Sequence, residues 1–202
     1  LFDRQTGKLT LIRDRIGEKP LYYGFVNGHF VFASDIGCSR VLDDFHNPID
    51  TKVLQLYFIH GYIPAPYSIY KDIYKLDAGC MLELDAPYQE PCISAYWSVR
   101  EAAIYGQAHP FQGSRQEAAD ELERLLKTAI KEQMEADVPV GAFLSAGIDS
   151  STIVALMQAQ SERKVRSFTI GMDDPAYNEA SYAREIAQRL GTEHTELYIT
   201  AD

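Results

Sequence analysis

The sequence predicts two consecutive fold classes within one chain of 202 residues. Residues 1–100 predict an α+β part with antiparallel sheets, because short apolar and aromatic runs alternate there with hairpin turn sequences. Residues 114–202 predict an α/β part with a parallel sheet, because apolar strands alternate with amphipathic helices. Residues 101–113 contain Gly and Pro and show no sustained period, so we place the linker between two domains there.

The strands of the first part are predicted from apolar runs, each of which ends at a polar turn. Asn27-Gly28 predicts a two-residue hairpin, since both residue types accept the positive φ angles that such a turn requires. Asp77-Ala78-Gly79 predicts a second turn between strands. The expected strands cover 9–12, 21–25, 30–33, 73–76 and 80–84, and the expected helices cover 35–42 and 51–60.

The second part opens with a helix-capping pattern. Ser114 and Glu117 form a capping box, and apolar residues then recur on one face of the helix that follows. Asn178 is the expected cap of a later helix, and Gly191 is its expected stop. Strands are predicted at 138–144, 165–170 and 194–199, with a further helix over 149–160.

Composition excludes several classes of protein. The net charge is −10 and Lys/Arg clusters are lacking, which argues against nucleic-acid binding. No apolar stretch approaches the ~20 residues that cross a bilayer, and the first residues do not form a signal peptide. The three cysteines lack metal-ligand spacing and are expected to be reduced thiols of a cytoplasmic protein. Because the chain starts without Met inside a strand-like segment, we expect it to be part of a longer protein.

A loop of small residues after the strand at 138–144 carries the chemistry. Residues 145–151 read Ser-Ala-Gly-Ile-Asp-Ser-Ser, and the hydroxyls and unpaired amides that open the next helix favour a bound phosphate. Ala146 and Gly147 let the backbone approach an anion closely. Asp149 is useful beside a phosphate only with a cation between them, so it is the predicted Mg²⁺ ligand. This segment predicts a site for the phosphates of ATP; an ordinary strand-to-helix turn is the alternative.

The pattern differs from the two commoner phosphate loops, because no Lys follows the glycine and no G-x-G-x-x-G is present. It resembles the PP-loop of the ATP pyrophosphatases, S-G-G-x-D-S. Ser145, Gly147, Asp149 and Ser150 match that motif, whereas Ala146 replaces its first glycine. If position 146 requires a positive φ, the replacement costs about 1 kcal/mol.

Nearly the whole chain resembles the asparagine synthase (glutamine-hydrolysing) family. Residues 14–23 and 32–35 resemble the end of its class II glutamine amidotransferase domain, and residues 137–151 resemble the entry to its synthetase domain. The resemblance implies the end of an Ntn-type glutaminase followed by a PP-loop ATP pyrophosphatase sheet of the adenine nucleotide alpha hydrolase type. Further similar segments lie at 61–66, 75–79, 95–97, 167–171, 178–180 and 190–194.

The resemblance implies an ATP-dependent amide ligase. Glutamine hydrolysis releases ammonia, ATP converts aspartate to β-aspartyl-AMP with release of pyrophosphate, and ammonia then displaces AMP to give asparagine. Aspartate, glutamine, ATP and Mg²⁺ are the implied ligands, and a homodimer is the implied assembly. Nothing in residues 1–202 identifies the acceptor, so another carboxylate, such as a sugar acid of a polysaccharide, stays an alternative. A non-catalytic nucleotide-binding or scaffold protein is the other alternative.

The resemblance also assigns roles to residues. The family's glutaminase nucleophile is an N-terminal cysteine, a position that Cys38, Cys80 and Cys92 do not occupy. We therefore expect no complete catalytic set in this chain and an inactive isolated fragment. Phe143 and Leu144 are explained equally well by core packing. The residues expected to hold the nucleotide are Phe143, Leu144, Ser145, Ala146, Gly147, Asp149, Ser150, Ser151, Ile170 and Gly171, with Asp149 on the metal.

Overall fold

The computed structural model describes residues 1–42, 45–86, 89–174 and 178–200. The backbone forms two compact units, Leu1–Pro110 and Phe111–Asp202. Each unit has its own sheets and core. The limits of the two domains given above stay a prediction. Within the described residues, no helix is both long and apolar enough to cross a membrane.

The first unit contains two antiparallel sheets of three strands each. Their strand orders are β1-β5-β6 and β3-β2-β4. This confirms the antiparallel pairing that the hairpin turns predicted. The elements are β1 (Leu9–Ile12), β2 (Tyr22–Val26), β3 (His29–Ala33), α1 (Thr51–His60), β4 (Ile73–Lys75), β5 (Cys80–Leu84), β6 (Cys92–Ala95) and α2 (Val99–Ala108).

The turn between β2 and β3 has the predicted conformation. Asn27 has a φ of 48° and Gly28 a φ of 79°, so both central residues lie in the left-handed region. That conformation matches the twist of the flanking strands and closes a tight hairpin. The sheets of this unit share a core of buried residues, which are Leu11, Tyr23, Leu76, Leu82 and Leu84.

Three features of the first unit differ from the expectation. The helix expected at 35–42 is a 3₁₀ helix, Ile36–Val41. β6 was not predicted, since all four of its residues are exposed and show no apolar alternation; it forms by pairing with β5. Part of the predicted linker at 101–113 is helical, because α2 occupies Val99–Ala108. The sequence of α2 shows no sustained apolar period, and the helix buries none of its residues.

The second unit is built around a parallel sheet, as predicted, and its strand order is β7-β8-β9. The capping box is present at the start of its first helix, where Ser114 and Glu117 bond to each other's backbone and side chain. Helices follow β7 and β8 in the alternation typical of an α/β fold. The elements are α3 (Arg115–Gln133), β7 (Gly141–Phe143), α4 (Ile148–Ala159), β8 (Arg166–Met172), α5 (Ala180–Leu190) and β9 (Glu193–Ile199).

Two clusters of apolar residues hold the helices of the second unit in place. Leu144 and Val154 pack with Ala183 and Ala187, which joins the end of β7 to α4 and α5. The second cluster joins α3 to α4 and to the start of β8, and its buried members are Ile130, Met157 and Val165. The middle and second half of α4 are therefore held by packing from two sides.

The limits of two elements in the second unit differ from the prediction. β7 is shorter than the strand expected at 138–144, because only Gly141–Phe143 pairs with β8; Pro139 has no N–H to donate to a ladder. α5 has Glu179 rather than Asn178 at its N-cap, although the Asn178 side chain accepts a hydrogen bond from the Ala180 amide at 3.0 Å. Gly191 ends the helix with a φ of 74°, as predicted.

Candidate functional site

The serine loop, which we define as residues 145–151, lies at the carboxyl end of a parallel strand. β7 ends at Phe143 and α4 begins at Ile148. β8 runs parallel beside β7, with Phe143 opposite Phe168. Ligands of open α/β sheets bind beyond the carboxyl ends of the strands. The topology therefore places the serine loop where such a fold binds its ligands.

Hydroxyl groups connect the two ends of the serine loop. The Ser145 and Ser150 hydroxyl oxygens lie 2.8 Å apart, and the Ser145 amide donates to the Ser150 hydroxyl oxygen at 3.1 Å. The Gly147 amide donates to the Ser145 hydroxyl oxygen at 3.2 Å. The Ser151 hydroxyl donates to the Gly147 carbonyl at 2.8 Å. Ser150 is thus the centre of a network that holds the loop in one shape.

The start of α4 leaves backbone donors for a ligand. Its N-cap, Gly147, has an extended backbone with φ −70° and ψ 152°, and no side chain caps the helix. The first amides of a helix have no acceptor further back along the helix, and they lie at the positive end of its dipole. The amides of Ile148 and Asp149 are therefore suited to an anion. The Gly147 amide differs from them, because the Ser145 hydroxyl already accepts from it.

The two small residues of the serine loop have different roles. Ala146 does not have a positive φ, so the expected cost of replacing glycine there does not arise. Gly147 is constrained by space, since a Cβ at this position would lie 3.2 Å from the Ser145 hydroxyl oxygen. A side chain at 147 would therefore disturb the hydroxyl network, whereas the methyl group of Ala146 is exposed.

An open cleft of about 410 Å³ borders the serine loop. Phe143 contributes a ring that is 75% exposed, which makes core packing the wrong reading for that residue. Leu144 is only 2% exposed and belongs to the core, so core packing explains its side chain. The residues that line the cleft are Phe143, Leu144, Ser145, Ser150, Phe168, Thr169, Ile170, Met172 and Glu179.

The remaining predicted residues lie around this cleft rather than in its lining. Ala146, Gly147 and Asp149 are exposed, and Ser151 is half-buried. Gly171 is buried, and a Cβ there would lie 2.6 Å from the Tyr198 ring, so its small size serves the packing of Tyr198. The structure thus brings the loop residues and Ile170 to one place and leaves Gly171 on the packed side of the sheet.

Asp149 is an exposed carboxylate in the first turn of α4. Within the described ranges, no group of three or more His, Cys, Asp or Glu side chains could enclose a metal ion. Mg²⁺ is usually held through one or two carboxylates together with substrate phosphates and water. A single carboxylate beside a phosphate site therefore fits Mg²⁺ delivered with a nucleotide, rather than a metal bound by the protein alone.

A row of Ser167, His194 and Glu196 superficially resembles the catalytic triad of a hydrolase. The Ser167 hydroxyl oxygen lies 2.9 Å from His194 Nδ1, and His194 Nε2 lies 3.9 Å from a Glu196 carboxylate oxygen. Ser167 is 0% exposed, and its hydroxyl also contacts the Thr192 hydroxyl at 2.8 Å. A nucleophile must reach its substrate, so this buried row is structural.

The other end of this row carries a strong ion pair. Arg184 on α5 bonds to the Glu196 carboxylate on β9, and the Tyr198 hydroxyl donates to the same carboxylate at 2.9 Å. The Arg184 guanidinium is the main cause that lowers the pKa of Glu196 to about 2. This pair links α5 to β9.

Sequence reasoning missed Thr169, although it lies within the predicted strand at 165–170. Its side chain is buried, and its hydroxyl donates to the Leu144 carbonyl directly before the serine loop. A signal was present in the sequence, because Ser167 and Thr169 place hydroxyls at alternate positions of a strand that is apolar from Phe168 onwards apart from Thr169. Buried hydroxyls of this kind need partners, and here the partner is the backbone of the neighbouring strand.

Comparison with known proteins gives a family match for each of the two units. The sequence profile of the family described as a glutamine amidotransferase domain matches residues 1–97, and that of the family described as asparagine synthase matches residues 121–202. Together the two profiles account for most of the chain. The match to the first profile covers the antiparallel sheets, and the match to the second covers the serine loop and the parallel sheet.

Individual relatives align along almost the whole chain. A Methanocaldococcus jannaschii protein, provisionally named asparagine synthetase (glutamine-hydrolysing) 2, is 34% identical over 98% of this chain and 38% of its own length. A similarly named Mycobacterium tuberculosis protein is 32% identical over 100% of this chain and 31% of its own length. Asparagine synthetase (glutamine-hydrolysing) 1 of Bacillus subtilis is 28% identical over 94% of this chain and 28% of its own length.

The chain therefore spans about a third of the length of the relatives that it matches. One of the two matched profiles falls within each compact unit of the chain. The profiles, the relatives and the arrangement of sheets agree with one another. The chain belongs to the asparagine synthase (glutamine-hydrolysing) family, of which it holds a glutamine amidotransferase segment followed by the first part of the asparagine synthase domain.

Proposed function

We propose that the intact protein is an ATP-dependent, glutamine-hydrolysing amide ligase that converts aspartate to asparagine. The observation that carries this proposal is the serine loop, with its hydroxyl network and open helix amides at the end of a parallel strand, in a chain that matches both domains of the family. A phosphate site joined to an amidotransferase segment is what a ligase needs, since it must activate one substrate and receive ammonia from another.

The serine loop is proposed to act as a PP-loop that binds the phosphates of ATP. The amides of Ile148 and Asp149 and the hydroxyls of Ser145, Ser150 and Ser151 are the donors. The hydroxyls now bond within the loop, so they exchange those partners for phosphate oxygens when the nucleotide binds. Mg²⁺ held by Asp149 neutralises phosphate charge when it is bound.

The cleft beside the serine loop is proposed to receive the adenosine. The Phe143 ring is largely exposed there, and Ile170 is 48% exposed. An exposed aromatic ring and an aliphatic side chain at the rim offer apolar contact to a purine base. Leu144 contributes through its backbone, because its side chain is in the core.

The proposed chemistry activates a carboxylate that is otherwise a poor electrophile. A side-chain carboxylate oxygen of aspartate attacks the α-phosphorus of ATP, a new P–O bond forms, and the bond to the pyrophosphate oxygen breaks. Ammonia then attacks the carbonyl carbon of β-aspartyl-AMP, loses a proton and expels AMP. The serine loop contributes by stabilising the charge on the departing pyrophosphate with donors that are already in position.

The intact protein is proposed to work in the cytoplasm as a homodimer. Its proposed substrates are the small molecules ATP, aspartate and glutamine. Cys38, Cys80 and Cys92 are free thiols, as expected in a reducing compartment. This chain holds only part of the ATP site, so the isolated segment is proposed to be inactive.

Exchange of labelled pyrophosphate into ATP tests the proposal in the intact protein. Adenylation is reversible, so we expect exchange that depends on aspartate and on Mg²⁺. If exchange occurs with a different carboxylate and not with aspartate, the protein is still a ligase of this chemistry, but its acceptor is that other carboxylate. Binding of Mg-ATP without exchange for any carboxylate would favour a non-catalytic nucleotide-binding protein and reject the ligase.

A further inference from the structure

Thr169 contacts Leu144, the residue directly before the serine loop, from the neighbouring strand. It lies in the middle of β8, is 6% exposed, and donates its hydroxyl hydrogen to the Leu144 carbonyl oxygen. The Leu144 amide in turn donates to the Phe168 carbonyl at 2.8 Å. Thr169 therefore holds the last backbone acceptor before the chain leaves the sheet and enters the loop.

The same peptide group is held from its other side by the loop itself. The Leu144 carbonyl and the Ser145 amide belong to one planar unit, so they cannot turn independently. The carbonyl bonds to Thr169, and the amide donates to the Ser150 hydroxyl oxygen at 3.1 Å. The carbonyl and the amide point from opposite edges of the peptide plane, so the two hydrogen bonds together restrain its orientation and the position from which the Ser145 side chain leaves the backbone.

We propose that Thr169 is a positioning residue, which orients the Leu144–Ser145 peptide and so keeps the serine loop in the shape that binds the nucleotide phosphates. It acts through Leu144 and Ser145 and need not touch the phosphates itself. This inference rests on the proposed ATP site. A loop backbone that is held in place before the ligand arrives lowers the cost of ordering the loop during binding, so the hydroxyl of Thr169 strengthens nucleotide binding.

Two substitutions of Thr169 separate the effect of its hydroxyl from the effect of its side-chain volume. T169V keeps the branched shape and removes the donor, whereas T169S keeps the donor and removes a methyl group. Loss of one buried hydrogen bond should weaken the binding of Mg-ATP to the intact protein about tenfold. T169S should bind Mg-ATP with a dissociation constant within about twofold of that of the original protein, because it keeps the hydroxyl donor. Such a rescue by a hydroxyl indicates a positioning role.

Ser167→Ala is the matched control on the same strand. Ser167 is fully buried on the same face of β8, but its hydroxyl contacts Thr192 and His194 and not the serine loop. S167A should lower the unfolding temperature without changing the dissociation constant for Mg-ATP. Equal nucleotide binding by T169V and the original protein, with only the unfolding temperature lowered, would overturn the proposal and leave Thr169 a packing residue.

Amide hydrogen exchange at Ser145 provides a readout that needs no nucleotide. T169V should speed this exchange about tenfold, whereas T169S and S167A should leave it within about twofold. If the original protein binds no Mg-ATP, the proposed function fails, yet this exchange still decides the role of Thr169. Should T169V not fold, T169A removes the same hydroxyl and gives the same two measurements; unchanged exchange at Ser145 in T169A would reject the proposal.

Discussion

Replacing Ser150 by alanine tests the hydroxyl network of the serine loop. The Ser150 hydroxyl accepts from the Ser145 amide at 3.1 Å and shares a hydrogen bond with the Ser145 hydroxyl at 2.8 Å. It also lies 3.3 Å from the carbonyls of Ser145 and Gly147, but a single hydroxyl hydrogen serves only one acceptor at a time. S150A therefore removes two well-defined hydrogen bonds from a half-buried position.

The size of the effect follows from these two bonds. Each contributes about 1 kcal/mol net, so the ordered loop loses about 2 kcal/mol, which corresponds to roughly a thirtyfold change in an equilibrium constant. We expect the Ser145 amide to exchange with solvent up to about thirtyfold faster. We also expect Mg-ATP to bind at least about tenfold more weakly, because S150A removes a proposed phosphate donor as well as hydrogen bonds that order the loop before binding.

Hydrogen exchange followed by mass spectrometry and calorimetric titration with Mg-ATP measure these two effects. Thr152→Ala is the control, since the Thr152 hydroxyl donates to the Ile148 carbonyl at 2.8 Å on the same helix and takes no part in the loop network. T152A should leave both quantities within about twofold. If S150A behaves like T152A in both measurements, the network does not hold the loop and our reasoning is wrong.

Three further predictions concern the metal, the ion pair and the core. Asp149→Asn should weaken ATP binding at least about tenfold in the presence of Mg²⁺ and change it little in EDTA, as measured by titration, because only the ion-mediated contact is lost; equal loss in EDTA would contradict a metal role. Glu196 has a pKa of about 2 beside Arg184, so its pairing stabilises the fold above the ordinary carboxyl pKa of about 4.3 and is lost as the pH falls towards 2. The urea midpoint should therefore fall more between pH 7 and pH 3 in the original protein than in E196Q, and equal falls would show that the pair adds no stability. Leu82→Ala should lower the free energy of unfolding of the first unit by about 2–5 kcal/mol, because Leu82 is 0% exposed; Ile59→Ala, at a residue 72% exposed, is the control and should change it by less than about 0.5 kcal/mol.

The elements that sequence predicted well are those whose local chemistry and burial agree. The capping box at Ser114 and the turn at Asn27-Gly28 depend on residues adjacent in sequence, so their signals are complete without the rest of the fold. The alternation of strands and helices after Ser114 likewise reflects faces that are buried in the second unit. Local pattern and tertiary packing specify the same structure at these positions.

The elements that sequence missed depend on contacts between distant residues or on no burial at all. α2 buries no residue and β6 is exposed throughout, so neither leaves a hydrophobic period to detect. β7 ends where its pairing with β8 ends, which sequence alone does not determine. The serine loop could be located from its residues, but its link to Thr169 arises only when the two strands come together.

A crystal structure of the intact protein with Mg²⁺ and a non-hydrolysable ATP analogue tests the central claim most directly. We predict that the terminal phosphates accept hydrogen bonds from the amides of Ile148 and Asp149, and that Asp149 would be the residue that holds the Mg²⁺ ion. Phosphates bound elsewhere, with those amides still facing solvent and the Ser145–Ser150 contact unchanged, would contradict the account.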